Sequence, residues 1–164
     1  MNTRLFLALW PDPAIRHALR ERRDAWTWPR GASPVHADKL HVTLHFLGEV
    51  PSERVAKLRQ GFAVPFTPFT LSIGLPARWP HGIAVLEPHT EPPELLALHA
   101  KLSKALVSLG LQPEARDYRP HVTLARRASH AVVPPESAPL IWQVDGYVLV
   151  ESNGASYTVL EHFS

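Results

Sequence analysis

At 164 residues, 45% of them apolar, and with a formal charge of +2, the chain is long enough for one compact domain and too apolar to be disordered. It has no cysteine, which excludes disulfide frameworks and thiolate metal sites and points to a reducing compartment such as a cytoplasm. So small a net charge argues against a protein that coats duplex nucleic acid, although Arg outnumbers Lys thirteen to four, a bias suited to bidentate contact with phosphate.

Arg4 to Trp10 reads as a buried strand closed by the turn Trp10-Pro11-Asp12-Pro13. Its apolar run is too short for a secretory segment or a membrane span, so a soluble, untargeted protein is expected. From Ala14 to about Trp26 the period turns helical, with Ile15, Leu19 and Trp26 on one face. Arg16, Arg20 and Arg23 form a stripe beside that face and read as a solvated surface. Trp28 to Asp38 is loop, and His41 to Leu47 is a strand ended by Gly48. Ser52 to Gln60 is a short helix stopped by Gly61, and Phe69 to Leu75 and Gly82 to Leu86 are strands.

Pro92 and Pro93 introduce a helix to about Leu109, with Leu95, His99, Leu102 and Leu106 on its buried stripe. His121 to Arg126 is again a strand. Ile141 to Glu151 reads as one long strand, and Tyr157 to His162 closes the chain.

The tetrapeptide HVTL stands at 41–44 and again at 121–124, eighty residues on. Each copy follows a strand, a proline-initiated helix and a loop, which suggests an internal duplication. The expected architecture is α+β: two pseudo-symmetric lobes of antiparallel strands with outer helices, facing each other across a cleft. Residues 1–164 then form a single bilobal domain.

Side chains alternate along a strand, so His41, Thr43 and His45 are expected on one face and Val42, Leu44 and Phe46 on the other. His121 and Thr123 repeat this against Val122 and Leu124. A lone His on a strand is usually satisfied by a backbone carbonyl, the plain reading for His99 and His162. Two His-x-Thr faces at equivalent points of a repeated unit are better read as a site. A metal site fits poorly: His41 and His45 are about 13 Å apart along a strand, and no acidic cluster adjoins either motif.

Facing histidines suit in-line displacement at phosphorus, where attacking and departing oxygens lie on opposite sides. With an ordinary pKa of about 6.5, one His can take a proton while the other gives one. Thr43, Thr123 and the Arg residues trailing the second motif can hold the non-bridging oxygens.

HVTLHFLGEV and HVTLARR resemble the paired motifs of the 2H phosphoesterases, and in particular the bacterial RNA 2′,3′-cyclic phosphodiesterases, formerly called 2′-5′ RNA ligases. The resemblance runs from RLFLALWPDP to LVESNGASYTVLEHFS. It implies hydrolysis of an RNA 2′,3′-cyclic phosphate end, or of a small cyclic nucleotide, to a 2′-phosphomonoester. Reverse ligation to a 2′-5′ bond is also implied. Neither metal nor cofactor is implied, and the protein is expected to act as a cytoplasmic monomer away from membranes. Carried onto this chain, His41 is the proton donor, His121 the proton acceptor, and Thr43 and Thr123 hold the phosphate.

Arg126 corresponds to the family's arginine after the second motif. Strict alternation, however, puts Arg126 on the core side and Arg127 with the histidines. Either a bulge or the strand's end turns Arg126 inward, or Arg127 takes its place; Arg126 is favoured. Arg126 and Arg127 should also lower the pKa of His121 and make it the base. A non-catalytic nucleotide-binding module on the same fold and a structural protein whose HVTL strands merely pair are the competing readings.

Overall fold

The computed structural model describes residues 1–164. Its elements, in chain order, are β1 (Asn2–Leu9), α1 (Pro13–Asp24), β2 (Ser33–Pro34), β3 (Val42–Pro51), α2 (Val55–Gly61), β4 (Phe69–Trp79), β5 (Ile83–Pro88), α3 (Pro93–Ser108), β6 (Val122–Arg126), β7 (Leu140–Val144), β8 (Tyr147–Asn153) and β9 (Ser156–Phe163). Asp12 caps α1, its carboxylate accepting the Ile15 N–H at 2.8 Å, and Pro13 supplies the first helical turn. No helix is long and apolar enough to cross a membrane.

The strands run β7-β4-β5-β6-β3-β1-β8-β9, every pair antiparallel, with β2 added to β6. The two halves, β7-β4-β5-β6 and β3-β1-β8-β9, are the expected lobes. Their strands pair with each other at one residue pair, Val42 opposite Val122. The motif strand of each lobe follows a strand and a helix, as β1-α1-β3 and β5-α3-β6.

Leu5, Leu7 and Leu9 of β1 bury into the main core, together with Val42 and Leu44, Val122 and Leu124, and the stripe Leu95, Leu98, Leu102 and Leu106 of α3. Leu98, not His99, completes that stripe; His99 sits half-buried beside it. The opposite face of β1 carries Phe6 and Ala8, which pack with Val148 and Val150 as a second apolar layer beneath the cleft.

Three readings of the sequence are corrected. The segment 141–151 is two strands on different lobes: β7 pairs with β4, β8 with β1, and the chain turns at Asp145-Gly146. The turn is packed tightly enough that a Cβ on Gly146 would lie 2.4 Å from the Phe163 carbonyl oxygen. Gly48 does not end β3 but sits in it at φ +72°, where β1 skips a partner between Leu5–Gly48 and Phe6–Phe46. The arginines of α1 are not a solvated stripe. Arg16 donates to the carbonyls of Ala37 (2.7 Å) and Leu40 (3.1 Å), and Arg23 to that of Val35 (2.8 Å); only Arg20 faces solvent. Helix α1 thereby fastens the segment that leads into His41.

Replacing Gly146 with Ala should overpack this corner and cost about 2 kcal/mol. For a chain of this size that lowers Tm by roughly 4–8 °C in a thermal melt. An unchanged Tm would show that the turn can yield.

Candidate active site

The pairing of Val42 with Val122 sets the site. In an antiparallel pair with those residues opposite, His41 comes to lie across from Thr123, and Thr43 across from His121. The histidines are then diagonal neighbours, with backbones about 7–8 Å apart. Both valines point into the core, so the four polar side chains share the other face, over a cleft of about 770 Å³.

A β-bulge follows each motif at the same place. On β3, Ala8 pairs with Thr43 and Leu7 with His45, leaving Leu44 extra. On β6, Val85 pairs with Thr123 and Ala84 with Ala125, leaving Leu124 extra. Each bulge slips the alternation by one residue. Leu44 and Leu124 stay in the core, and position +5 of each motif turns onto the cleft face. That residue is Phe46 on one strand and Arg126 on the other, and both line the cleft.

Arg126 thus reaches the cleft by the bulge, whereas Arg127 adopts φ +53° beyond it and does not line the cleft. Phe46 is not the core residue that strict alternation predicts; it is 51% exposed. His45 borders the same cleft as His41 and Thr43 but is buried, 3% exposed. Its Nε2 donates to the His99 carbonyl at 3.0 Å, and its ring stacks on His99 with centroids 4.0 Å apart.

Both motif imidazoles are held alike. The Nδ1–H of His41 donates to the Lys39 carbonyl at 2.6 Å, and that of His121 to the Arg119 carbonyl at 2.8 Å. In each neutral ring this leaves Nε2 with the lone pair facing the cleft. The Thr43 hydroxyl donates to Nε2 of His41 at 2.9 Å, while Nε2 of His121 has no protein partner.

The basic residue two before each motif also lays its side chain over an aromatic ring. Lys39 Nζ sits 4.9 Å from the Tyr157 centroid, and Arg119 Cζ sits 4.3 Å from that of Trp79. Tyr157 meets His41 edge-on at 5.8 Å, and Trp79 packs on His121 at 4.3 Å. Phe6 stacks on His41 at 4.9 Å, and Trp10 at 5.7 Å. The sequence reading missed this whole aromatic shell. Its one visible trace is the basic residue shared by KLHVTL and RPHVTL.

Burial pushes the His41 pKa down to about 4; the Lys39 carbonyl opposes this, and the Arg16 and His121 charges add to it. His121 is also lowered, first by burial, then by the charges of Arg119 and Arg116, against the Arg119 carbonyl and the Glu87 carboxylate. The charge expected from Arg126 and Arg127 is therefore not what acts on His121, and the deeper depression belongs to His41. No three His, Asp or Glu side chains converge as a metal-binding group.

The chain matches the family model of the 2′-5′ RNA ligase superfamily over residues 11–155. It is 35% identical to the RNA 2′,3′-cyclic phosphodiesterase of Thermus thermophilus, across 98% of this chain and 89% of that one. The RNA 2′,3′-cyclic phosphodiesterase of Escherichia coli is 32% identical, across 98% and 96%. The crystal structure of E. coli LigT complexed with 3′-AMP superposes with a TM-score of 0.89 at 30% identity, covering 99% of this chain and 97% of that one.

Buried neutral histidines make stability depend on pH. The unfolded chain takes up protons at its ordinary value of 6.5, whereas folded His41 resists until about 4. The folded state therefore holds its full stability above 6.5 and loses it as pH falls toward 4. Tm should drop across that window, and sulfate, dianionic throughout, should raise Tm more at about pH 5 than at about pH 8. A Tm unchanged across the window, or a sulfate effect independent of pH, would contradict neutral imidazoles facing an anion site.

Proposed function

The chain belongs to the 2′-5′ RNA ligase superfamily, and from that membership we propose that it opens the 2′,3′-cyclic phosphate at an RNA end to a 2′-phosphomonoester. We further propose that it does so with two histidines and no metal ion. The crossed quartet of His41, Thr43, His121 and Thr123 around the Val42–Val122 pair carries this reading. It offers a proton acceptor and a proton donor on opposite sides of one phosphorus-sized space, with hydroxyls between them.

In the proposed reaction, water attacks phosphorus from the His121 side and passes its proton to Nε2 of that ring. The bond from phosphorus to O3′ breaks, and O3′ takes a proton from Nε2–H of His41. The ribose is left with a free 3′-hydroxyl and a 2′-phosphate. Arg126 and the two threonines hold the non-bridging oxygens as charge builds on them. When His41 is protonated its Nε2 can no longer accept from Thr43, which frees that hydroxyl to turn toward the phosphate.

The depressed pKa of His41 suits a donor. An imidazolium whose pKa is about 4 gives up its proton readily, at the cost of being scarce in the free enzyme. The anionic substrate offsets that scarcity by favouring the charged ring. His121, with the Glu87 carboxylate nearby, suits the acceptor.

Ligation follows from the same division of labour. A 5′-hydroxyl in place of water at His121, with O3′ still departing, yields a 2′-5′ phosphodiester. The exposed ring of Phe46 gives the cleft an apolar surface of the kind on which nucleobases stack. Matching bulges and matching strand–helix–strand units support one bilobal domain made by internal duplication. One chain supplies both sides of the cleft, so we propose that the enzyme acts as a monomer; its lack of cysteine suits a reducing compartment such as the cytoplasm.

The direct test is an oligonucleotide ending in a 2′,3′-cyclic phosphate, incubated in EDTA. The expected product is the 2′-phosphate, with H41A and H121A each losing roughly 10²–10⁴-fold in turnover. Loss of activity in chelator, restored by a divalent ion, would reject the metal-free mechanism. An intact cyclic end would favour a binding module.

A second test is the pH profile. Because the donor must be charged and is pushed down to about 4, kcat/KM should peak below 6.5, the ordinary histidine value, and fall at alkaline pH. An alkaline optimum would contradict a protonated His41.

A further inference from the structure

The two imidazole mounts differ in one component. In both lobes a backbone carbonyl takes the Nδ1–H, and that residue's own cation covers an aromatic ring that packs against the imidazole. Around His121 there is also a carboxylate. Glu87, on β5, accepts the indole N–H of Trp79 at 3.0 Å and the guanidinium of Arg119 at 3.0 Å, both on the same oxygen. Its side chain is 29% exposed, less than half the 62% of Arg119. No hydrogen bond or ion pair brings a carboxylate to Tyr157 or Lys39 in the first lobe. The first lobe holds its imidazole without an acid, so the acid is not needed merely to seat a ring.

We propose that Glu87 is a positioning residue for the base: it locks Trp79 and Arg119 against His121 and stabilises the imidazolium that His121 becomes when water gives it a proton. This rests on the reading of His121 as proton acceptor. The charged and titratable groups acting on His121 are Arg119 and Arg116 from the preceding loop, His41 across the cleft, and Glu87. The first three disfavour a second positive charge there, and Glu87 is the only one that favours it. The Arg119 carbonyl holds Nδ1–H, so the same residue keeps its guanidinium near the ring, and Glu87 counters that charge in place. Glu87 does this while clamping the guanidinium over Trp79.

The test compares the isosteric E87Q with E87A and the unmodified enzyme. The His121 ring titration is followed by NMR in the free protein, beside steady-state kinetics on a 2′,3′-cyclic oligonucleotide. In E87Q the His121 midpoint should move to lower pH, with that of His41 in place. The alkaline limb of the kcat/KM profile, set by the higher of the two midpoints, should move with it, and kcat should fall roughly tenfold, a fraction of the loss from removing the base itself. KM should stay near its original value. In E87A, where Trp79 and Arg119 also lose their anchor, kcat should fall further.

An unmoved His121 midpoint in E87Q overturns the proposal, whether or not kcat changes, because a purely structural role leaves that titration alone. A midpoint that moves while kcat stays at its original value would instead count against His121 as the base, and would leave the hold of Glu87 on that ring intact.

Discussion

One antiparallel contact, Val42 against Val122, pairs the motif strands of the two lobes, and the arrangement of the cleft depends on it. Neighbouring strands lie about 4.8 Å apart, so this pair gathers two histidines and two threonines over one cleft, the threonines on the strands and each histidine on the residue just before its strand. A longer ladder would zip the strands together and close the cleft. Instead they part at once, and each is met by a segment from the other half of the chain. The Val35 N–H donates to the Leu124 carbonyl at 2.8 Å, and the Tyr118 hydroxyl to the Thr43 carbonyl at 2.8 Å. Buried backbone polar groups need such partners. These straps satisfy them and keep the lobes at a set separation.

Symmetry supplies the frame, and departures from it supply direction. The bulges after the motifs are equivalent, yet one presents Phe46 and the other Arg126, so the two sides of the cleft offer an apolar ring and a guanidinium. The mounts are equivalent, yet His41 lies among Phe6, Trp10 and Tyr157, while His121 lies against Trp79 with Arg119 and Glu87 behind it. Burial among rings pushes the His41 pKa down to about 4, which in our proposal readies its imidazolium to donate. Around the other imidazole, burial lowers the pKa first and the Glu87 carboxylate partly opposes it, which in our proposal suits the acceptor. Two copies of HVTL cannot differ in role by themselves; their surroundings make them differ.

Much of this was legible in the residues. The repeated HVTL with period-two alternation placed His41, Thr43, His121 and Thr123 on one face, and the rhyme of strand, helix and strand marked two lobes. The bulges could not be read. Nothing in HVTLHF or HVTLAR marks an extra residue, because a bulge is set by how β1 and β5 pair across, not by local preference. That is why alternation misplaced Phe46 and left Arg126 against Arg127 open. The strand proposed over 141–151 failed for a related reason: both halves alternate, and only the packing of Phe163 against Gly146 shows the turn. Arg16 and Arg23 resembled a wet helix face because their acceptors are main-chain carbonyls, which carry no sequence signal. Trp79 and Glu87 reach His121 only through strand order.

The central claim is that the two histidines act from opposite sides of phosphorus, His41 on the departing oxygen and His121 on the attacking one. A 2′,3′-cyclic substrate with sulfur in place of the bridging 3′ oxygen tests it most directly, since a thiolate leaves without needing a proton. Single-turnover rates on this substrate and its oxygen parent should show H41A restored nearly to the unmodified enzyme by sulfur, with H121A still crippled. Rescue of H121A with H41A unimproved would reverse the two roles. Equal failure of both variants on the sulfur substrate would mean that neither histidine serves the leaving group.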